Sequence, residues 1–219
     1  MKKCFIKTVV IILTMLSILV IWKPIPINNN NSDNHEITKH AEACEQKYNF
    51  NIDANYAILM ADAISSGNYN QAKSYESLRN QKKEYLGIKD DLTYNNLLLL
   101  SKIVHAEAGS NWLTEEHRQL VASVVLNRVD SPEFPNSMYD VIHQKGQYSS
   151  AGSSYFKNMN PSRACVFSAL SVIAGGSIAP ADVIFQSNFK QGSGVYKSIY
   201  DSKLGTTYFC YSNNRKLYR

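Results

Sequence analysis

The sequence predicts a mainly helical α+β fold, and two observations carry this prediction. From about residue 92, apolar residues recur at three- and four-residue intervals in successive stretches, which is the spacing of one buried helix face. Further on, the short runs 183–185 and 206–211 are typical of strands and lie on either side of a Gly-rich connection. With 219 residues, 44% of them hydrophobic, the chain is long enough for one ordinary domain and an additional segment.

Residues 1–23 predict a signal anchor or a signal peptide. Lysines precede an uncharged run from Thr8 to Trp22, which ends at Lys23-Pro24. No small-x-small cleavage pattern directly follows the run, so an uncleaved membrane anchor is favoured, and a cleaved signal peptide is the close alternative. Because the first lysines stay on the cytoplasmic side, the rest of the chain is expected to be extracytoplasmic, either membrane-anchored or secreted.

Two further segments precede the main domain. Residues 24–44 are rich in asparagine and in charged or polar residues, and predict a flexible linker. Residues 45–90 show helical spacing on both sides of Gly67-Asn68, which predicts a helical hairpin. This hairpin is a spacer, a partner-binding element or a subdomain packed on the rest; the sequence does not choose between these roles.

The main domain, residues 91–219, begins with two predicted helices. The first runs from about Thr93 to Ala108, and Gly109 is its stop. Thr114 is a favourable N-cap for the second helix, because a threonine hydroxyl can accept a hydrogen bond from the free N–H groups of the first turn. The second helix ends at residues 130–132, Asp-Ser-Pro.

The second half of the domain mixes helix, loop and strand. A short helix is predicted from Pro135-Asn136 to Ile142, followed by a long loop, residues 143–160, without apolar periodicity. Pro161 begins another helix, which Gly175-Gly176 ends. Cys165 and Cys210 could form a disulfide outside the cell, but buried reduced thiols are equally compatible with the pattern.

Glu107 is the residue of this domain that best fits a chemical role. On a helix it shares a stripe with Leu100, Ile103 and Val104, so its carboxylate is expected to be carried inward. Partial burial and the negative end of the helix dipole would both raise its pKa, as a general acid near neutral pH requires. The alternative is a core-edge glutamate paired with a base such as Arg128.

Metal-dependent and nucleic-acid-binding classes fit the sequence poorly. There is no His-Glu-x-x-His and no Cys-x-x-Cys, and His105-x-Glu107 lacks the cysteine pair of a zinc deaminase. We therefore expect neither a metal nor another cofactor. The formal charge of +5 suits an anionic polymer or surface, but without a basic run or an arginine-rich helix it does not indicate nucleic acid.

Six short pieces between residues 92 and 212, taken together and in order, resemble the SleB/CwlJ-type cell wall hydrolases, a family first associated with lysis of the spore cortex. The pieces are His105-Ala106-Glu107-Ala108, Val124-Val125-Leu126-Asn127-Arg128-Val129, Ser131-Pro132-Glu133-Phe134-Pro135-Asn136, Val141-Ile142, Gly146-Gln147-Tyr148-Ser149, and Gly205 with Tyr208-Phe209. The resemblance implies a lysozyme-like fold, peptidoglycan as substrate and Glu107 at the position of the catalytic glutamate. Residues 45–90 show no peptidoglycan-binding repeat, and residues 185–188 match the family only loosely.

Substrate contacts are expected in the loop that contains Gln147, Tyr148 and Ser149. Gln147 and Ser149 can bond acetamido or hydroxyl groups, and Tyr148 can stack on a sugar face; the alternative is an ordinary turn. Asn127 and Arg128 are expected to tie helices together rather than to touch substrate.

Glycosidases usually need two carboxylates, and no second acid can be placed beside Glu107 from the sequence. This favours a lytic transglycosylase, which the resemblance also suggests: Glu107 would cleave between N-acetylmuramic acid and N-acetylglucosamine and leave a 1,6-anhydromuramyl end. The alternatives are a lysozyme-type hydrolase with a second carboxylate and a non-catalytic peptidoglycan-binding scaffold. Wall remodelling, spore germination and lysis all fit as settings, and residues 45–90 could recruit a protein partner.

Overall fold

The computed structural model describes residues 54–86 and 90–218, which belong to one compact unit, Gln46–Arg219. The predicted signal segment, residues 1–23, and the predicted linker, residues 24–44, lie outside the described residues. None of the described helices is both long enough and apolar enough to cross a membrane.

The described chain is mostly helical and contains one small antiparallel sheet, so the predicted α+β class is confirmed. A first helix, α1, covers residues 54–65. The other elements are α2 (Tyr69–Leu86), α3 (Tyr94–Ala108), α4 (Glu115–Val129), α5 (Met138–His143), α6 (Ser154–Asn158), α7 (Arg163–Gly175), β1 (Val183–Ser187), β2 (Val195–Asp201), β3 (Gly205–Tyr211) and a 3₁₀ helix (Arg215–Tyr218).

Threonine caps set the starts of the two helices that carry the site. The Thr93 hydroxyl accepts a hydrogen bond from the backbone N–H of Asn96 at 3.1 Å, and α3 begins directly after it. Thr114 caps α4 in the same way, through the N–H of His117 at 3.2 Å. Both starts fall where the sequence predicts them, because a hydroxyl that satisfies a free first-turn N–H defines the helix boundary locally.

Four features of the domain differ from the sequence prediction. Helix α7 begins at Arg163, after the N-cap Ser162, and not at Pro161. The short helix α5 begins at Met138, because Ser137 caps it by accepting from Asp140 N at 3.1 Å, and not at Pro135-Asn136. Helix α6 lies inside the predicted loop; its five residues are too few to show periodicity. Strand β2 lies inside the predicted connection, and as an outer strand without a buried side chain it lacks an apolar run.

The sheet has the order β1-β3-β2, so β3 is the central strand. Phe209 of β3 pairs with Lys197 of β2 and Gln186 of β1, and its side chain is fully buried. Its ring meets the buried His117 of α4 edge-on at 5.8 Å between ring centroids. The sheet is thereby fixed on α4, and Phe209 belongs to the core.

The hairpin formed by α1 and α2 packs on the rest of the compact unit and shares its core. Met60 and Ile64 of α1 are fully buried in the same cluster as the apolar residues of α3. Arg163 of α7 forms an ion pair with Asp62 at 2.8 Å, and the hydroxyl of Tyr69 donates to the side chain of Asn160 at 3.1 Å. Of the three roles left open for the hairpin, the observed packing corresponds to a subdomain that packs on the main domain.

Cys165 and Cys210 are both buried and both free, so the disulfide between them does not form and the reduced alternative holds. They belong to separate elements, α7 and β3, and each is covered by the core. Cys165 accepts a hydrogen bond from the Ser162 hydroxyl at 3.2 Å. Both thiols therefore act as small apolar core groups.

Candidate active site

Glu107 lies in the last turn of α3, which ends at Ala108 with Gly109 as its C-cap. The cap position requires glycine for a steric reason: a Cβ added to Gly109 would lie 2.2 Å from the carbonyl oxygen of His105. The predicted helix stop is confirmed, and it places Glu107 beside the unpaired carbonyls of the helix end.

The side chain of Glu107 is exposed, so the expectation that it is carried inward is wrong. Leu100, Ile103 and Val104 on the same stripe are fully buried, but the stripe reaches the end of the helix, where the protein no longer covers it. The surrounding protein still displaces enough water to raise the pKa of the carboxyl above its ordinary value. The pKa shift thus has the direction predicted, while the carboxyl remains accessible to a substrate.

Arg128 acts on Glu107 through its charge and not through direct pairing. Its positive charge opposes the desolvation and lowers the pKa of Glu107 in part. Within the described part of the chain, no ion pair or hydrogen bond joins Glu107 to any side chain, so the alternative of a glutamate paired with Arg128 does not hold. The carboxyl is left free to exchange a proton with a ligand.

Arg128 is buried and contacts several elements of the domain. Its Nε donates to the carbonyl of Ile184 at 2.7 Å, and its guanidinium carbon lies 5.0 Å from the ring centroid of Phe134 and 5.3 Å from that of Tyr148. The neighbouring Asn127 donates to the carbonyls of Pro180 and Val183, at 2.8 and 3.0 Å. Both residues tie α4 to the segment around β1, rather than one helix to another.

Tyr148 is brought close to both charged groups. Burial raises the pKa of its hydroxyl, Arg128 opposes this shift, and the charge of Glu107 adds to it. The ring packs against Arg128, and the buried hydroxyl has no hydrogen-bond partner among the described residues. Buried polar groups are nearly always paired, so the unpaired hydroxyl has the capacity to bond a ligand. It is better suited to a substrate contact than the ring face, for which the sequence predicts sugar stacking.

Gln147 and Ser149 lie on either side of Tyr148 and are exposed. No hydrogen bond of their side chains is found within the described residues, so both groups are open to a ligand. Gly146 before them has φ +83°, in the left-handed region that favours glycine, and this turns the loop sharply. Their role in substrate binding stays a prediction, and the same loop holds two more buried polar atoms without partners, Gln144 Oε1 and Ser150 Oγ.

No carboxylate among the described residues contributes to the pKa of Glu107. Glu133, which belongs to one of the family-like pieces, is occupied elsewhere: it accepts from Tyr218 at 2.8 Å, from Asn214 at 3.3 Å, and from Ser212. Although burial opposes them, these bonds keep its pKa below the ordinary value. Glu133 is therefore an ionised anchor for the C-terminal segment.

His105 is oriented by a hydrogen bond from the backbone. Its Nδ1 accepts a hydrogen bond from the backbone N–H of Ser162 at 3.1 Å, and burial lowers its pKa. No group of three or more His, Cys, Asp or Glu residues capable of holding a metal occurs in the described part of the chain.

Two features of the surroundings were not identified from the sequence. The indole of Trp112, half exposed, lies 4.0 Å from the Lys203 ammonium and also donates to Asp201, so the β2–β3 turn is fastened to the loop that follows Glu107. A groove of about 870 Å³ lies between α3, α5 and α6, and none of the predicted site residues lines it. The first feature depends on the register of the sheet and the second on the packing of short helices, and neither can be read from a local sequence pattern.

Residues 114–210, somewhat less than half of the chain, match the model of a protein family described as Cell Wall Hydrolase. The match covers Arg128 and the loop with Tyr148, but it begins seven residues after Glu107 and so does not include that residue. Neither a curated protein nor a solved structure matches the chain.

Proposed function

We propose that this chain, whose residues 114–210 match the Cell Wall Hydrolase family model, acts on peptidoglycan as a lytic transglycosylase that uses Glu107 as its single acid-base group. The observation that carries the proposal is the state of Glu107: exposed, unpaired, and with a raised pKa to which no second carboxylate contributes. An accessible carboxyl with this property can stay protonated and give its proton to a leaving group.

The reaction needs no group beyond this carboxyl and the substrate. Glu107 donates its proton to the oxygen between N-acetylmuramic acid and N-acetylglucosamine, and the bond from that oxygen to the muramyl anomeric carbon breaks. The carboxylate then takes the proton of the muramyl 6-hydroxyl, whose oxygen bonds to the anomeric carbon. The product is a 1,6-anhydro ring, and Glu107 returns to its protonated form without consuming water.

Arg128 and Tyr148 support the two states of Glu107. The carboxylate formed after proton donation is stabilised by the charge of Arg128, which already lowers the pKa in part. The Tyr148 hydroxyl, which has no partner of its own among the described residues, can donate to the substrate or to the carboxylate. Gln147 and Ser149 would bond acetamido and hydroxyl groups of the glycan.

A hydrolase of the lysozyme type would need a second carboxylate near Glu107 to position water. The other acid of the family-like pieces, Glu133, accepts hydrogen bonds from three side chains of the C-terminal segment and is not available for this role. This supports the one-carboxylate route over the hydrolytic one.

We further propose that the domain works outside the cytoplasm, held at the membrane by residues 1–23. The arrangement of lysines before the apolar run supports this orientation. An exported location agrees with a substrate that lies in the cell wall.

The proposal is tested by incubating purified peptidoglycan with the full chain and with its Glu107→Gln variant. We expect the wild type to release soluble muropeptides and the variant to release at least about 1,000-fold less, because the amide cannot donate the proton. The matched control is Glu84→Gln, an exposed glutamate on α2, which should retain full activity. Equal activity of the Glu107→Gln variant, with an unchanged melting temperature, would contradict the proposal.

A further inference from the structure

The groove between α3, α5 and α6 carries positive charge and no negative charge. Its positive charges are those of Lys102 and Lys157, and none of its lining residues is an aspartate or glutamate. Lys102 uses one N–H to bond the carbonyl of Lys157 at 2.7 Å, which leaves its other donors for a ligand. The side chain of Lys157 is exposed. The groove is therefore suited to a carboxylate.

The rest of the groove surface is apolar and aromatic. Leu98 and Leu99 of α3 and the buried Phe156 of α6 line it beside the two lysines. On the α5 side, the ring of Tyr139 is 62% exposed and stacks on His143 with 4.0 Å between the ring centroids. His143 Nδ1 bonds the carbonyl of Tyr139 at 2.9 Å, so the pair is fixed in place. Short aliphatic groups can pack on this surface while carboxylates reach the lysines.

We propose that this groove binds the acidic stem peptide that peptidoglycan carries on its muramic acid residues. The inference rests on the proposed function, because the peptide is attached to the sugar on which Glu107 acts. Its small aliphatic residues and carboxylates match a groove with an apolar surface and two ammonium groups. A neutral glycan offers hydrogen-bond acceptors but no negative charge to pair with the lysines, so the acidic peptide fits the groove better than a second glycan segment.

The groove borders the loop that carries Tyr148. Ala151, which lines the groove, donates its backbone N–H to the carbonyl of Tyr148 at 3.0 Å. An extended peptide of four residues spans about 13 Å, so a peptide on a muramyl group bound beside Tyr148 can extend into the groove. The volume of about 870 Å³ is large enough for such a peptide. The substrate is accordingly peptide-bearing peptidoglycan, in preference to glycan strands without peptides.

Binding of the peptide can be measured without any reaction. We would titrate the full chain by calorimetry with the free peptidoglycan tetrapeptide, and with the same peptide after amidation of its carboxylates. We expect binding of the tetrapeptide in the micromolar to millimolar range and at least about tenfold weaker binding of the amidated form. Absence of tetrapeptide binding to the wild type would overturn the proposal.

Variants locate the binding in the groove. The combined change Lys102→Met with Lys157→Met should weaken tetrapeptide binding at least about tenfold, and Lys157→Met alone, at an exposed side chain, about threefold. The control Lys216→Met, at an exposed lysine of the C-terminal 3₁₀ helix, should leave the affinity unchanged. A tetrapeptide affinity of the double variant and of Lys157→Met equal to that of the Lys216→Met control would also overturn the proposal.

Cleavage assays separate this inference from the proposed function. The wild type should cleave peptide-bearing strands faster than strands stripped by an amidase, and the double variant should lose this preference while its rate on stripped strands is unchanged. If the wild type binds the tetrapeptide but cleaves neither substrate, the proposed glycosidase activity is wrong and the groove assignment stands. Cleavage of both substrates at equal rates by the wild type would refute the groove assignment alone.

Discussion

Glu107, Arg128 and Tyr148 form a small electrostatic unit, in which Arg128 lowers the pKa of the other two side chains and Glu107 raises that of Tyr148. Desolvation raises the pKa of Glu107 and of Tyr148, and Arg128 opposes the shift at both. Arg128 can exert this influence without an ion pair because its guanidinium is fixed by the Ile184 carbonyl and by two aromatic rings. Glu107, the residue that must change its protonation, is thus left without a direct hydrogen-bond or ion-pair partner.

Arg128→Gln should move the alkaline limb of the activity profile. Arg128 lowers the pKa of Glu107, so its removal raises that pKa, and the protonated acid persists to higher pH. The variant should also lose about 2–4 kcal/mol of stability, because a buried cation with a backbone bond is removed. The measurement is kcat against pH at a temperature where both proteins are folded; an alkaline limb that stays in place or moves to lower pH would contradict the assignment.

Tyr148→Phe removes a buried hydroxyl that has no partner among the described residues. Stability should be unchanged or should rise by up to about 1 kcal/mol, because an unpaired polar group is costly to bury. Glycan cleavage should fall at least about tenfold if the hydroxyl serves the substrate or Glu107. Chemical denaturation and cleavage rates measured on the same preparations test both parts, and a stability loss above 1 kcal/mol would mean that the hydroxyl is already bonded.

At the scale of secondary structure, the sequence predicts those elements whose signals are local. Thr93 and Thr114 start α3 and α4 through their own hydroxyls, and Gly109 ends α3, so residues within four positions decide these boundaries. Helix α6 has a hydroxyl cap of the same kind, Ser153, which accepts from the N–H of Phe156 at 3.0 Å, but neither α6 nor strand β2 shows the apolar pattern that identifies an element. The first is too short for periodicity, and the second is an outer strand whose place depends on pairing with β3.

Gly109→Ala tests the end of the helix that carries Glu107. A Cβ at this position would lie 2.2 Å from the His105 carbonyl oxygen, so the backbone must shift. We expect a stability loss of about 1–3 kcal/mol and a lower kcat, since Glu107 lies two residues away. The control is Gly152→Ala, where a Cβ meets nothing within 4 Å. Similar stability and kcat for the two variants would contradict the steric argument.

The docking of α2 on α3 depends on an ion pair that responds to acid. Burial alone would raise the pKa of Asp90, but hydrogen bonds and charges from Arg79 and Lys83 outweigh it and lower the pKa to about 2. Because the folded-state pKa lies below the unfolded value of 3.8, the stabilisation is present above pH 3.8 and is lost as the pH falls towards 2. Asp90→Asn should cost about 1–2 kcal/mol at pH 7 after allowance for partial exposure, and nothing near pH 2.

Urea unfolding of the wild type and of the Asp90→Asn variant between pH 2 and pH 7 measures this dependence. A difference between the two proteins that stays constant over this range would contradict the role of the ion pair.

For the molecule as a whole, the sequence predicts the class of fold and the helix that carries the acid, but not the surroundings of that acid. The exposure of Glu107 depends on how far neighbouring elements extend past the end of α3, which no local pattern encodes. Arg128 meets Ile184 and Tyr148 only after α4, β1 and the Gly146 loop have packed together. The groove beside Lys102 likewise depends on two short helices, one of which the sequence does not reveal.

The most direct test of the one-carboxylate mechanism is cleavage of peptidoglycan by the full chain in ¹⁸O-labelled water, followed by mass spectrometry of the muropeptides. We expect 1,6-anhydromuramyl ends that contain no label, because the muramyl 6-hydroxyl and not water attacks the anomeric carbon. Reducing muramic acid ends that carry the label would contradict this mechanism, and would show that a second group activates water beside Glu107.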